Sequence, residues 1–254
     1  MIRMIMHGCC GAMGHTITGL AKEMDGIKIV AGIDVRQDET LGYPVFASLE
    51  ECTETADVVV DFASAKAVDH LLDYCGEKKM PLVLCTTGLS EEQLKKVEET
   101  SKKTAVLRSA NMSLGINTLL KLLQDAAKVL AAAGFDVEIV EKHHNKKVDA
   151  PSGTALALAD SINEAMGQQY HYKYDRSTER VRRDAKEIGI SSVRGGSIVG
   201  EHDVIFAGTD EVITFSHTAY SKAIFGKGAL EAALFLAGKE PGFYTMTDVI
   251  EAAS

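Results

Sequence analysis

The chain has 254 residues, enough for one large or two modest domains with real cores. Its formal net charge of −9, with 46% hydrophobic and 25% charged residues, suits an ordinary globular protein and argues against nucleic-acid binding, which needs a basic surface. No apolar run approaches the roughly 20 residues of a membrane span, and Met1–His7 is too short for a signal peptide. Five cysteines (Cys9, Cys10, Cys52, Cys75, Cys85) lack disulfide or metal spacing, so reduced thiols, no bound metal and a cytoplasmic setting are expected.

In chain order, Ile2–Met6 reads as a strand, followed by a glycine-bearing turn and a helix over Thr16–Met24. Lys28–Ile33 is a second strand ending at Asp34. Val58–Asp61 and Leu82–Thr86 are apolar, β-branched runs of the kind buried on both faces of a sheet. Helical stretches lie at Ala65–Cys75 and Ser90–Lys102. This alternation implies a parallel, doubly wound sheet. Leu114–Ala133 is a long helix crossing into a second unit, where Phe135–Val140 is a strand and Ala155–Ile162 a helix. Gln168–Lys186 is polar and poorly periodic, a long loop. Ser191–Arg194, Ser197–Ala207 and Glu211–His217 are closely spaced strands, which suggests an antiparallel sheet with hairpin turns at Gly195-Gly196 and Gly208–Asp210. Gly228–Ala237 is helical and packs back on the first unit.

Three segments carry dinucleotide chemistry. The turn Gly8-Cys9-Cys10-Gly11-Ala12-Met13-Gly14 joins a strand to a helix, and its glycines let the backbone approach a pyrophosphate at the helix start. Asp34, at the end of the second strand, stands where a carboxylate meets a ribose 2′-hydroxyl. Cys85-Thr86-Thr87 and Ser109-Ala110-Asn111-Met112 follow apolar runs and offer hydroxyls, amides and backbone to the same ligand. The alternative for each is a polar turn without a ligand. Cys9 and Cys10 read as loop residues rather than redox groups.

The densest chemistry lies in Glu141–Thr154. Two adjacent imidazoles (His143, His144), three lysines and a Pro151-Ser152-Gly153-Thr154 turn connect a strand to a helix that Ser152 can cap. A helix start offers free N–H groups and a positive dipole end to an anion. The stretch reads as a pocket for a carboxylate-bearing substrate that must also receive a proton. Asp149 reads as a structural acceptor for the turn and Lys146 as solvent-exposed, while His7, His15, His70 and His171 read as loop or surface histidines.

The GxxGxMG turn, the TTG and ANMS segments and the HHxxKxDAPSGTA run together resemble the dihydrodipicolinate reductase family. The resemblance spans essentially the whole chain, including Gly200-Glu201-His202 and Phe225–Gly228. It implies an α/β fold: a Rossmann-type dinucleotide-binding domain (1–113, completed by 222–254) with an inserted mixed α/β, largely antiparallel, substrate and oligomerisation domain (114–221), assembled as a homotetramer. It also implies NAD(P)H-dependent reduction of 4-hydroxy-tetrahydrodipicolinate (dihydrodipicolinate) to tetrahydrodipicolinate in diaminopimelate and lysine biosynthesis. Matched position by position, His143 is the family's acid/base histidine and Lys147 its proton-donating lysine. His144, Ser152, Gly153 and Thr154 are its grip on the substrate carboxylates. Where dual-cofactor members carry an acid followed directly by arginine, this chain has Asp34-Val35-Arg36. An Asp facing the 2′-hydroxyl repels a 2′-phosphate, so NADH is favoured, with NADPH left open through Arg36. The competing readings are another two-domain amino-acid or semialdehyde dehydrogenase, which would share the turn but not the histidine run, and a dinucleotide-sensing regulator, which would need a basic DNA-binding face.

Overall fold

The computed structural model describes residues 1–177 and 179–253. They form two compact units, one of Met1–Leu114 with Ala223–Ser254 and one of Gly115–Lys222.

In the first unit, β1 (Ile2–His7), β2 (Ile27–Ile33), β3 (Val45–Phe46), β4 (Val58–Asp61), β5 (Leu82–Leu84), β6 (Ala105–Leu107) and β12 (Gly242–Tyr244) make a sheet in the order β12-β6-β5-β4-β1-β2-β3. Every pairing in it is parallel. Because side chains alternate along a strand, Met4 and Met6 of β1 and Val58 and Val60 of β4 enter one core, while Ile5 and Val59 enter the other. Helices α1 (Ala12–Glu23), α6 (Ala223–Leu236) and α7 (Met246–Ala252) cover the first face through Ile17, Leu230 and Val249. Helices α2 (Ala65–Lys78) and α3 (Glu91–Ser101) cover the second through Leu71, Leu72 and Val97. Burial on both faces is what the unbroken apolar runs required. Helix α1 starts at Ala12, four residues before the expected Thr16, so the glycine turn runs straight into helical backbone.

In the second unit, β7 (Asp136–His143), β8 (His171–Lys173), β9 (Glu187–Arg194), β10 (Gly200–Ala207) and β11 (Val212–Ala219) form a sheet in the order β11-β10-β7-β9-β8. One face packs against α4 (Leu114–Leu130) and α5 (Gly153–Ala165), with Leu123, Val137, Ile139, Leu158, Ile162, Ile190 and Phe206 in its core. The sheet is mixed, and of the two expected hairpins one is present. β10 runs antiparallel to β7 and β11, and Gly208 N–H closes the β10–β11 hairpin onto the Glu211 carbonyl. β9, however, lies parallel to β7 and to β8. Gly195-Gly196 is therefore no hairpin: it carries the chain from β9 across β7 to β10, with Gly195 N–H on the His143 carbonyl and Asn145 N–H on that of Gly196. Spacing alone cannot separate a hairpin from a crossover when β7, an earlier strand, fills the place between. The segment expected as a loop over Gln168–Lys186 contains the edge strand β8; Thr178 within it lies outside the described residues.

Two glycines of α6 set its seat in the first unit. A Cβ on Gly226 would meet Ile17 at 3.0 Å, and one on Gly228 would lie 1.7 Å from the Met112 carbonyl oxygen. Gly228 thus holds the backbone of the 109–112 segment directly against the helix. Overpacking of this kind costs about 1–3 kcal/mol even where neighbours relax, and a backbone carbonyl relaxes little. Gly228→Ala should lower the melting temperature by several degrees in scanning calorimetry. Gly19→Ala, on the open face of α1 where nothing lies within 4 Å, should leave it unchanged or slightly raised. Equal melting of the two variants would refute the close seat.

Candidate active site

The first unit presents its ligand-facing groups at the carboxyl ends of its strands. A cleft of ≈ 400 Å³ opens there, lined among others by His7, Gly8, Gly11, Asp34, Arg36 and Ser64. It lies where strand order reverses, with β2 on one side of β1 and β4 on the other, the usual dinucleotide position in such sheets. Gly8 has φ +82, and a Cβ on it would meet the Ala63 backbone at 2.9 Å; one on Gly14 would lie 2.2 Å from the Cys9 carbonyl oxygen. Gly11 caps α1 without a side-chain hydrogen bond, leaving the helix's first amides open to an anion. Cys9 and Cys10 are buried beneath the turn, and burial pushes the Cys9 thiol up to about 12, so it stays a neutral packing group. Ala12 and Met13 form the first turn of α1.

Asp34 is tied to this turn. Its carboxylate accepts from Cys10 N–H at 3.0 Å and from Arg36 N–H at 3.0 Å, while Arg36 Nη2 donates to the Cys10 carbonyl at 2.6 Å. Acid and arginine therefore share the rim of one cleft. Cys85-Thr86-Thr87 and Ser109–Met112 occupy the ends of the next two strands, β5 and β6, rather than the cleft wall. Two buried polar atoms, Asp61 Oδ2 at the end of β4 and Thr86 Oγ1 just after β5, lack hydrogen-bond partners among the described residues. The cradle of glycines, open helix amides and a fixed carboxylate suits a dinucleotide.

His7 corrects the surface assignment. It ends β1 beside Asp61 of β4 and bonds that carboxylate through Nδ1 at 2.7 Å. It also lines the cleft. Its signal in the sequence was only its place at a strand end. His15, His70 and His171 are exposed, as expected, with His171 on β8.

In the second unit the chemistry grows out of β7. Val137 and Ile139 face the core, and two-residue periodicity puts Glu141 and His143 on the same face at the strand's end. Register then brings Arg194 of β9 and His202 of β10 to the same end of the sheet, with His217 of β11 opposite His202. Glu141 is fully buried. Arg194 grips it with two hydrogen bonds of 2.8 and 2.6 Å, His143 Nδ1 lies 2.6 Å away and Ser152 N–H donates at 3.0 Å. Burial works to raise the Glu141 carboxyl, but donors from Arg194, His143, Ser192 and Ser152 outweigh it and hold it at about 2. Ser152 caps α5 by accepting from Ala155 N–H at 3.1 Å and meets His202 Nε2 at 3.1 Å.

The remaining predicted residues cluster around this core. His144 follows directly from β7, and its Nδ1 is buried without a hydrogen-bond partner among the described residues, as are those of His202 and His217. Gly153 and Thr154 open α5 and present its first amides. Lys147 holds Asp149 at 2.8 Å, and that lysine keeps the Asp149 carboxyl below its usual range. Lys146 is exposed. The site thus joins a histidine, a lysine, unpartnered imidazole nitrogens and a helix N-terminus, a set fit to bind an anion and move a proton. In the sequence Glu141 marks only the start of the motif, and Arg194 carries no assigned role. The alternation that carries β7's core face onto Glu141 was the available clue.

Desolvation, aided by neighbouring His143, depresses His202 to about 4. Between that value and the ordinary 6.5 the unfolded chain binds a proton that the folded one refuses, so this residue makes stability fall as pH drops from 6.5 to 4. Denaturant titrations at pH 7 and pH 4 should show His202→Asn losing less stability over that interval than the parent, by about 1–3 kcal/mol. Identical losses would contradict a neutral, buried His202.

A family model described as dihydrodipicolinate reductase, N-terminus, matches residues 2–112, and one described as dihydrodipicolinate reductase, C-terminus, matches residues 115–250. The 4-hydroxy-tetrahydrodipicolinate reductase of Caldanaerobacter subterraneus subsp. tengcongensis is 55% identical, covering 99% of this chain and 99% of its own. That of Clostridium novyi is 49% identical over the same shares, 99% and 99%. A solved structure, a dipicolinate-bound dihydrodipicolinate reductase from a Paenisporosarcina species, matches with a TM-score of 0.80 and 25% identity over 96% of this chain and 97% of that one. With both halves matched and relatives this close over their full length, the chain belongs to the dihydrodipicolinate reductase family.

Proposed function

We propose that His143 and Lys147 supply the proton in the reduction of 4-hydroxy-tetrahydrodipicolinate, and that His144, Ser152, Gly153 and Thr154 hold the substrate's carboxylates. The chain is a pyridine-nucleotide-dependent oxidoreductase acting in the diaminopimelate route to lysine. The observation that supports the site reading is that His143 and the Ser152-capped start of α5 meet on one buried carboxylate, with Lys147 in the loop that joins them. Dipicolinate in the related solved structure supports a small cyclic dicarboxylate as ligand.

Each residue has a distinct task. The opening amides of α5 and the Lys147 ammonium attract and orient an anionic carboxylate. To serve, Lys147 exchanges its Asp149 partner for substrate. His143 holds a proton at Nε2, and protonation of the reduced ring drains the negative charge that hydride addition leaves. In the first unit, Gly8–Met13 hold the cofactor's pyrophosphate, Asp34 its adenosine ribose, and the 85–87 and 109–112 segments flank it. When bound, the reduced nicotinamide supplies the hydride.

We further infer that NADH is the preferred donor. Asp34 reaches the rim as a carboxylate, and Arg36, folded onto the Cys10 carbonyl, must leave that bond to meet a 2′-phosphate. The open face of the second unit's sheet, where Val193 and Val212 are exposed, suits assembly of identical chains, and we propose the family's homotetramer and a cytoplasmic setting. No helix among the described residues is long and apolar enough to cross a membrane.

Two measurements test these roles. His143→Ala should lower turnover by about 10²–10⁴ with a modest change in KM, whereas Lys147→Ala should impair turnover and KM together; near-normal turnover in both would sink the assignment. Asp34→Ala should weaken both cofactors in part, because it frees the Cys10 amide. It should weaken NADH more than NADPH, since a 2′-phosphate no longer meets a carboxylate. An unchanged NADH-to-NADPH ratio of dissociation constants would make Asp34 purely structural.

A further inference from the structure

We infer that Glu141 is a positioning residue: it fixes the tautomer and direction of His143 and, through Arg194 and Ser152, ties that ring to the anion-binding start of α5. This rests on the reading of His143 as proton donor. Both oxygens of Glu141 are occupied. Oε2 receives Arg194 Nη1 at 2.8 Å and faces His143 Nδ1 at 2.6 Å, and Oε1 receives Arg194 Nη2 at 2.6 Å and Ser152 N–H at 3.0 Å. An ionised carboxylate only accepts hydrogen bonds, so His143 Nδ1 must carry hydrogen. The exchangeable site of the ring is then Nε2 alone.

Nε2 points toward Gly200, where a Cβ would lie 3.1 Å away; the missing side chain leaves that nitrogen room. Arg194 Nη2 also donates to the Asp149 carbonyl at 2.6 Å, anchoring the far end of the loop that bears His144 and Lys147. One buried carboxylate therefore sets the acid's tautomer, the capped helix start and the loop between them. The charged and titratable groups around His143 are Glu141 on its own strand, Arg194 on β9, His202 on β10 with its ring centroid 5.2 Å away, His217 on β11, and Lys147 and Asp149 in the loop. Of these, Glu141 is the one whose side chain hydrogen-bonds the His143 ring among the described residues, and it does so at Nδ1.

The test uses the full chain with histidine labelled in ¹⁵N, and Glu141→Gln beside the parent. In the parent, neutral His143 should show protonated Nδ1 and unprotonated Nε2 in long-range ¹H–¹⁵N correlation spectra. Glu141→Gln should give mixed tautomers, turnover reduced about 10²-fold, KM for the dicarboxylate changed only a few-fold, and the alkaline limb of the turnover profile moved to lower pH, because a proton donor that loses its neighbouring anion gives up its proton more readily. Its NADH dissociation constant should equal the parent's. Glu141→Asp, which keeps the charge, should recover part of the turnover and the single tautomer. A parent His143 protonated at Nε2 with bare Nδ1 would overturn the inference, and that reading needs no variant to fold. A Gln variant with the parent's turnover and pH profile would overturn it equally. Absence of reductase activity in the parent would instead remove the functional reading and leave the tautomer result standing.

Discussion

A carboxylate with no exposed surface must be surrounded by donors or be neutralised, and Glu141 meets that demand with a guanidinium, an imidazole and a backbone amide. Everything chemical in the second unit follows from how the demand is met. Arg194 must come from a neighbouring strand in register, which requires β9 to run beside β7. The imidazole must come from two residues further along the same strand. The amide must come from Ser152, which places the start of α5 directly over the strand end. Removing the charge alone would leave the half-buried Arg194 guanidinium against a weaker, neutral acceptor. Removing Arg194 would leave an uncompensated buried anion, the costlier change of the two.

The first unit works by the opposite means, closeness of backbone rather than buried charge. Gly8 and Gly14 admit main chain where any side chain would collide, and Gly228 does the same for the Met112 carbonyl. These contacts hold the phosphate turn and the 109–112 segment in shapes that only glycine permits. The sheet beneath is apolar on both faces, so it forms a stiff floor from which the strand ends project. His7 and Asp61 show the result: neighbouring strand ends pair a cleft-lining imidazole with a buried carboxylate behind it.

The histidines of the second unit sit in different surroundings. His202 packs edge-on against His143 and is held neutral down to about pH 4 by desolvation. His143 instead faces the ionised Glu141. Two imidazoles with 5.2 Å between ring centroids thus have different work: one fills space and steadies Ser152, the other is set up to carry a proton. The same separation of roles applies to the lysines, with Lys146 exposed and Lys147 paired to Asp149.

The residues themselves determined a good deal. Glycine spacing, β-branched runs and the dense polar motif are local properties, so the parallel sheet, the phosphate turn and the segment from His143 to Thr154 could be located from the chain alone. The structure keeps those residues together at strand ends and helix starts. Tertiary structure decided what depends on partners distant in sequence. Whether Ser191–Arg194 pairs with the next strand or with one fifty residues earlier is a competition between hairpin and crossover, which local pattern does not encode. That choice alone brings Arg194 to Glu141. Likewise, His7 looked like a surface residue until β4 supplied Asp61, and Phe225–Gly228 was a motif without a mechanism until α6 lay on the Met112 carbonyl. Side-chain chemistry can be read in one dimension, but which charge neutralises which is settled only when the strands take their order.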